Sequence, residues 1–396
     1  FWFYQEKIEK AISRPGRLSL TLSRKQLLRQ AKLSSMKILI IHATAGAGHT
    51  KAAEAIFNGF KKYTSYDVRC VDVLDYTSPF YKKLYKKTYM ALISYFSFVW
   101  AFFFWLADIP FLLPFVQAAR RFSNGLNAKA FERFLEKENF DYIFTTHFFS
   151  NEVVSSLKER KKISSKLICV ITDFDVHQIW LAKNVDCYAV ACALTKDKLK
   201  KFGVAEEKIA VTGIPTDEKF SMLQNRPELR ARLGLDLNMF TVLIATGSFG
   251  IGPIEEIIGY LKGLQCVVIC GYNQKLVNKL SVIKADHVQV KGFVDNMHEY
   301  MAACDVLITK PGGLSISEAL VAGLPLVFFS AIPGQETNNV QALKTFGIGV
   351  SGLKTFEIAQ EIKTLQASRE YLQAAKDKIK KIARPNSVRD IISLVA

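Results

Sequence analysis

Two stretches in the last third of the chain carry residues suited to binding a charged, hydroxyl-rich ligand. In Thr309–Glu318, Gly312 and Gly313 follow an apolar strand and open a helix. Free backbone N–H groups beside the positive end of a helix suit a diphosphate. Glu318 lies one to two turns into that helix, where its carboxylate could accept hydrogen bonds from ribose hydroxyls. Further polar side chains, of the kind that read sugar hydroxyls, follow. We therefore predict a nucleotide-sugar site at Lys310, Gly312, Gly313, Ser315, Glu318, Gln335, Glu336 and Asn338.

A second group of candidate residues surrounds a histidine near the start of the chain. The turn Gly46-Ala-Gly48-His49 follows an apolar strand and places His49 at the opening of a helix. A helix N-terminus disfavours the cationic imidazole, and the neutral form accepts a proton, so His49 suits a general base for an alcohol. The alternative is a capping or packing histidine. The dinucleotide fingerprint fails, because its third glycine would fall at Lys51.

Polar residues also follow two other predicted strands. Asp173 comes directly after a buried strand, with His177 and Trp180 close behind, and His147 ends another strand. A carboxylate at the carboxyl end of a parallel strand can take part in catalysis or accept hydrogen bonds from substrate hydroxyls. An aspartate there can also cap a helix. We predict a substrate-side catalytic role for Asp173. Gly48, His147, His177 and Trp180 are predicted to line an acceptor site, with structural packing equally open for His147.

Two weaker patterns complete the predicted donor site. The glycine-rich turn Thr246–Gly252 would form a second wall for the diphosphate through Gly247, Ser248 and Gly250. Backbone groups at Phe293 and Val294 could meet the edge of a base. The alternative for both patterns is ordinary packing at strand ends.

The elements that must position these residues are short apolar runs alternating with helical segments. Continuous apolar runs of this length are typical of buried parallel strands. We predict strands at Lys37–His42, Val68–Val73, Tyr142–His147, Leu167–Thr172, Cys187–Ala191 and Lys208–Gly213, and then at Phe240–Ala245, Cys266–Cys270, Val288–Val290, Val306–Thr309 and Pro325–Phe329. Because the pattern occurs twice, we predict an α/β fold with two Rossmann-like domains whose parallel sheets face a cleft between them.

The predicted organisation comprises a basic extension at 1–35, a first domain at 36–215, a second at 216–365 and helices at 366–396. The net charge of +17 is concentrated early, with +14 before residue 216. Such a surface suits an anionic membrane or a nucleic acid, and no nucleic-acid-binding signature is present. The seven cysteines show no paired spacing and indicate free thiols in a reducing compartment. No histidine lies at metal-ligand spacing.

The segment 89–116 departs from an ordinary Rossmann-like domain. It is rich in aromatic residues, lysines precede it, and Arg120 and Arg121 follow it. A membrane span needs about 20 apolar residues, so the run is marginal, and a span would split the first sheet across the bilayer. We favour a helix docked in the membrane interface, and keep a buried or dimer contact and a transmembrane helix as alternatives.

Together these residues resemble the monogalactosyldiacylglycerol synthase and processive diacylglycerol glucosyltransferase family, over about 36–365. The resemblance is carried by Gly46–His49, Thr172–His177 with Trp180, Gly292–Val294, Ala303–Asp305, Thr309–Gly313, Ser317–Leu320, Gly323–Pro325 and Pro333–Glu336. The family often has Gly-Gly-Gly-His where this chain has Gly-Ala-Gly-His.

The resemblance implies a GT-B glycosyltransferase that inverts the anomeric carbon. Its substrates would be UDP-glucose or UDP-galactose and diacylglycerol, at the cytoplasmic face of an anionic membrane, with no cofactor and no essential metal. By analogy, the Val294 backbone meets uracil, Glu318 meets ribose, Gly312 and Gly313 face the diphosphate, Gln335 and Glu336 hold the sugar, and His49 deprotonates the acceptor.

Three other functions remain open from the sequence. They are a lipid glycosyltransferase that uses UDP-N-acetylglucosamine, a UDP-sugar 2-epimerase, and a non-catalytic membrane sensor of nucleotide-sugars. The sequence leaves the hexose, single or processive transfer, the oligomeric state and the role of residues 1–35 undecided.

Overall fold

The structure is a computed structural model. It describes residues 36–395 except for 45, 95–97, 100, 101, 103–105, 107–127, 249, 283–286, 330, 332, 333, 352 and 353. The predicted extension at 1–35 lies outside the described residues. Of the predicted docking segment 89–116, only residues 89–94, 98, 99, 102 and 106 are described.

Six parallel strands form the first sheet, in the order β2-β1-β3-β4-β5-β6. Their bounds are β1 Lys37–His42, β2 Asp67–Asp72, β3 Tyr142–Thr145, β4 Lys166–Val170, β5 Cys187–Val190 and β6 Ile209–Val211. In β1, an interior strand, Ile38, Leu39, Ile40 and Ile41 have no exposed surface, because helices cover both faces of the sheet.

Five parallel strands form the second sheet, in the order β11-β10-β7-β8-β9. Their bounds are β7 Thr241–Ala245, β8 Gln265–Ile269, β9 Val288–Lys291, β10 Val306–Thr309 and β11 Leu326–Phe328. The predicted α/β architecture with two parallel sheets is thus confirmed, and the strand ends differ from prediction by one or two residues.

Helices connect the strands of each sheet. In the first half they are α1 Ala47–Tyr63, α2 Pro79–Ser94, α3 Lys129–Glu138, α4 Phe148–Glu159 and α5 Ala193–Lys201. In the second half they are α6 Arg226–Leu233, α7 Ile254–Tyr260, α8 Gln274–Ser281, α9 Met297–Ala303, α10 Gly313–Val321, α11 Gln335–Thr345, α12 Thr355–Ala367, α13 Arg369–Ile382 and α14 Ser387–Ile392.

The strand orders place one crevice in each sheet. In the first, β1 and β3 are neighbours, and the connection from β1 runs to β2 on one side while the connection from β3 runs to β4 on the other. In the second, β7 and β10 are neighbours, and their connections run to β8 and to β11 on opposite sides. Loops diverge at such switch points and open a crevice beyond the carboxyl ends of the strands. The strand order therefore predicts that a ligand binds at the loops after β1, β3, β7 and β10.

The last helix returns to the first sheet. A Cβ atom built on Gly59 of α1 would lie 2.2 Å from Val388 Cγ1, so the two helices touch where α1 lacks a side chain. Ile391 of α14 is fully buried in the same apolar cluster as Ile38 and Ile56. Arg389 donates a hydrogen bond to the Tyr63 hydroxyl at 3.0 Å. We call the first sheet with its helices and α14 the first lobe, and the second sheet with its helices the second lobe. The chain passes from the first lobe to the second after β6 and returns before α14.

Helix α2 has two different faces. Tyr81 and Tyr85 pack against the core of the first sheet. On the outer side, Phe80 is 76% exposed and Leu84 is 49% exposed, with the exposed Lys83 at the adjoining helical position. Among the described residues, no helix is both long enough and apolar enough to cross a membrane.

Candidate active site

A cavity of about 580 Å³ lies between the two lobes, at the carboxyl ends of both sheets. Most of the predicted site residues line it: Gly48, His49, Asp173, Gly247, Ser248, Phe293, Val294, Lys310, Gly312, Gly313, Ser315, Glu318, Gln335 and Glu336. The sequence places these residues up to 288 positions apart, and the two switch points bring them together.

His49 is held in one tautomer by the strand-end loop of β3. Its Nδ1 lies 2.7 Å from the carbonyl oxygen of Thr146. A carbonyl only accepts, so Nδ1 carries the proton and the lone pair is on Nε2. Burial lowers the pKa of His49 to about 4, although the hydrogen bond to Thr146 acts in the opposite direction. The imidazole is therefore neutral at physiological pH and presents a proton acceptor to the cavity.

The base and the predicted diphosphate site meet through a single residue, Thr172. Its Oγ1 is 3.0 Å from His49 Nδ1. Its carbonyl oxygen would lie 2.0 Å from a Cβ atom built on Gly313. Only glycine permits this approach, so the absence of a side chain at Gly313 lets helix α10 come against the end of β4.

Two side chains of α11 bridge the lobes beside this contact. Gln335 Nε2 donates to Asp173 Oδ1 at 2.7 Å. The fully buried Asn339 accepts from the backbone N–H of Phe174 at 2.8 Å and donates to the carbonyl of Pro311 at 3.1 Å. Both amides thus tie the loop after β4 to the donor side of the cleft.

Asp173 is almost fully buried and is surrounded by donors. Besides Gln335, the indole Nε1 of Trp180 donates to its Oδ2 at 3.2 Å. Burial raises the pKa of Asp173 to about 6, and hydrogen bonds from Gln335, Trp180 and Asn339 counteract the rise. Asp173 therefore orients the Gln335 side chain by accepting its hydrogen bond, and both residues line the cavity.

The N-terminus of α10 lines the part of the cavity where the nucleotide-sugar is predicted to bind. Gly312 is the N-cap, and a Cβ built on it would meet nothing within 4 Å, so the backbone there faces open space. Across the cavity stand Gly247 and Ser248, at the end of β7. The first N–H groups of a helix have no partner within the helix, so the turn that begins at Gly313 can offer them to an anion in this cavity.

Glu318 lies farther along α10, facing the same cavity. Burial raises its pKa to about 8, and the ammonium group of Lys51 partly offsets this effect. The carboxyl group is therefore largely protonated at neutral pH. Hydrogen bonds from ligand hydroxyls would favour its ionised form.

The rim of the cavity beside Val294 is aromatic. Phe293, which lines the cavity, stacks on Tyr272 with ring centroids 4.5 Å apart and planes 9° apart. The two rings are 52% and 70% exposed. An exposed, preformed aromatic stack next to the predicted base edge offers a flat apolar surface to a planar ligand.

Five predicted residues do not line the cavity: Gly250, Asn338, His147, His177 and Trp180. The two histidines are helix caps, each accepting at Nδ1 from the N–H two residues later, at 3.1 Å for His147 and 3.0 Å for His177. Trp180 contacts Asp173 through its indole N–H and does not itself line the cavity. Gly250 has a φ of +61° and packs against Asn273, which makes it a turn residue.

The structure also brings in residues that sequence reasoning missed. They are Lys51, Glu54, Asn58, Thr172, Asp217, Lys219, His298 and Asn339. The first three recur at helical spacing on α1, and that periodicity could have predicted a face directed at the cleft. Asn339 follows the predicted Asn338 directly, and the two side chains point to different sides of α11, so that only Asn339 lines the cavity.

Comparisons with known proteins agree over nearly the whole chain. The model of monogalactosyldiacylglycerol (MGDG) synthase matches residues 49–216. The model of the glycosyltransferase family 28 C-terminal domain matches residues 253–394. A processive diacylglycerol beta-glucosyltransferase of Staphylococcus saprophyticus is 30% identical over 79% of this chain and 80% of its own length.

Solved structures share the fold at lower identity. MurG of Acinetobacter baumannii superposes with a TM-score of 0.59 at 16% identity, over 91% of this chain and 99% of its own. HepE of Anabaena, in complex with UDP-glucose, gives a TM-score of 0.54 at 14% identity, over 91% and 99%. These likenesses show the fold of the chain.

Proposed function

This chain belongs to the monogalactosyldiacylglycerol synthase and processive diacylglycerol glucosyltransferase family, and we propose that it transfers a hexose from a UDP-sugar to diacylglycerol, with inversion, at a membrane surface. The observation that carries the proposal is the meeting of two sites in one cleft. A neutral histidine with a free Nε2 lone pair stands on one lobe, and a glycine-opened helix N-terminus stands on the other.

The reaction is a single displacement. The acceptor hydroxyl oxygen attacks the anomeric carbon as the bond from that carbon to the diphosphate oxygen breaks. The hydroxyl proton goes to His49 Nε2, and the bonding electron pair leaves with UDP. Because attack is opposite the leaving group, the product has the inverted, β configuration. A pKa of about 4 makes His49 a weak base by itself. The negative diphosphate of a bound donor would raise this pKa and strengthen the base when it is needed.

The departing UDP needs fixed positive charge. The N-terminus of α10 supplies partial charge, and N–H donors from Gly313 onward, without reorganisation; the N–H of Gly312 itself donates to the carbonyl of Lys310 at 2.9 Å. Removing one donor of this type typically costs about 3 kcal/mol of transition-state stabilisation. Among the described residues no group of three or more His, Cys, Asp or Glu could hold a metal ion. We propose that transfer needs no divalent metal, which assays with and without EDTA will test.

The remaining donor contacts follow from position in the cavity. The Val294 backbone would meet uracil, Glu318 the ribose, and Gln335 with Glu336 the sugar. The hydrogen bond from Gln335 to Asp173 fixes the side chain that would read the sugar. The name of the S. saprophyticus relative supports glucose as the transferred hexose.

The outer face of α2 supports action at a membrane. It presents exposed Phe80 and Leu84 beside exposed Lys83 and Lys87, next to the segment 89–116. Apolar side chains entering the interface while lysines meet lipid phosphates would bind such a face to an anionic bilayer. Diacylglycerol, which stays in the bilayer, would then reach the cleft from that side.

A product assay tests the proposal. Diacylglycerol in anionic mixed micelles would be supplied separately with UDP-glucose, UDP-galactose or UDP-N-acetylglucosamine, in EDTA, and the lipids analysed by mass. We expect a hexosyl-diacylglycerol from one hexose donor. A UDP-sugar that is epimerised without any glycolipid would instead establish the 2-epimerase, and donor binding without turnover would establish the sensor.

A further inference from the structure

The cavity is lined by more carboxyl groups than lysines, although its proposed ligand is negatively charged. Among its described lining residues are six carboxyl groups, from Glu54, Asp173, Asp217, Asp295, Glu318 and Glu336, and three lysines, Lys51, Lys219 and Lys310. A UDP-sugar brings two further negative charges on its phosphates, and departing UDP gains more. Burial raises the pKa of Glu318 to about 8 and keeps that carboxyl group largely protonated at neutral pH, which lessens the conflict. A cation able to reach the phosphates would lessen it further.

Lys51 is in the position for this task. It lies two residues after His49 on α1, and Lys51, Glu54 and Asn58 form a stripe on the side of α1 that lines the cleft. The facing element is α10, since a Cβ built on Gly48 would be 3.7 Å from Leu314 Cβ. The effect of Lys51 on the pKa of Glu318 is consistent with this placement.

The present partner of Lys51 is easily exchanged. Its Nζ lies 2.7 Å from Glu54 Oε2, and the two side chains are 55% and 46% exposed. An ion pair this exposed contributes little, because water screens it and ordering both side chains costs entropy. A diphosphate at the N-terminus of α10 would offer more negative charge in a less exposed place. Lys310 differs, since it is more buried and lies near Glu336.

We propose that Lys51 is a diphosphate-binding residue that exchanges Glu54 for the phosphates of the donor. The first lobe would then contribute a full positive charge to a site otherwise built from the second lobe. Donor binding would then be coupled to α1, the helix that also carries His49 two residues away. This inference rests on the proposed use of a UDP-sugar.

The test compares UDP with uridine, which lacks the phosphates. Dissociation constants of both would be measured by calorimetry for the wild type, Lys51→Gln, Lys51→Arg and Glu54→Gln, after thermal melts have shown that each variant is folded. We expect Lys51→Gln to weaken UDP binding about tenfold and to leave uridine binding unchanged. Lys51→Arg should keep most of the affinity. Glu54→Gln should strengthen UDP binding about twofold to fivefold, because it releases Lys51.

The opposite changes in UDP affinity expected for Lys51→Gln and Glu54→Gln distinguish a phosphate-binding role of Lys51 from a purely structural one. If the Lys51–Glu54 pair only stabilises α1, the two glutamine variants will change UDP affinity in the same direction, and the proposal is overturned. An unchanged UDP affinity in Lys51→Gln, or an equal loss for uridine, also overturns it. If the wild-type protein binds no UDP at all, the UDP-sugar function itself fails, which is a distinguishable result.

Discussion

Replacing Gly313 with alanine tests whether the two lobes must meet for catalysis. The new Cβ would lie 2.0 Å from the carbonyl oxygen of Thr172, whereas ordinary contact begins near 3.4 Å. The two atoms must therefore separate by about 1.4 Å. The clash is with a backbone carbonyl, so no side-chain rotation relieves it.

The separation would be transmitted to the neighbouring bridges. The Asn339–Phe174 hydrogen bond, now 2.8 Å, would open beyond hydrogen-bond range if the lobes moved apart by that amount. The distance from His49 to the N-terminus of α10 would grow similarly. Because misplacement of reacting groups by about 1 Å can cost about a hundredfold in rate, we expect kcat/KM to fall about a hundredfold.

The assay is formation of hexosyl-diacylglycerol at varied donor concentration. Gly259→Ala is the matched control, because a Cβ there meets nothing within 4 Å and the residue lies in helix α7. Gly312→Ala adds a methyl group next door without touching Thr172, so its effect should be confined to donor affinity. Wild-type kcat/KM in Gly313→Ala would refute the reasoning, since the lobes would then work without this contact.

Four further predictions follow from the site. His49→Ala should lower kcat by about 10²–10⁴-fold with donor affinity kept, as UDP titration will check; equal losses in both would contradict a base role. The acid limb of kcat/KM that comes from His49 should lie below about pH 5, because burial lowers the pKa of His49 to about 4. A limb near 6.5 that persists in Asp173→Asn would mean an unperturbed histidine, because the pKa of Asp173 is itself about 6. Asn339→Ala should destabilise the protein by about 3 kcal/mol, measured by denaturant unfolding, because it unpairs buried backbone groups; Asn338→Ala is the control, and equal losses would refute the bridge. Glu318→Gln should weaken UDP binding yet raise Tm by roughly 5 °C at pH 8 and not at pH 4, because the buried carboxyl, with its pKa raised from 4.5 to about 8, costs stability only as pH rises through that window; a gain that is equal at both pH values would contradict it.

Local patterns predicted the strands and the loops that follow them. The run Lys37–His42 and the turn before His49 are set by adjacent residues, so apolar runs and glycine spacing suffice. The same holds for Gly312, which opens α10 directly after β10.

Relations between the lobes were not predictable in this way. The approach of Gly313 to Thr172 joins residues 141 positions apart, and nothing near either one signals the other. Asn339 could not be told from Asn338, because the choice depends on the rotation of α11 against a loop of the other lobe. His147 and His177 stand where a ligand histidine would, but their Nδ1 atoms satisfy N–H groups of their own turns.

The return of α14 to the first sheet bears on how the chain folds during synthesis. The last strand of that sheet ends at Val211, while Val388 and Ile391, which cover α1, are added about 180 residues later. Until then, the gap at Gly59 and the apolar surface around Ile56 are uncovered. The first half of the chain therefore leaves the ribosome with an incomplete core, and residues of α14, translated about 180 positions later, close it.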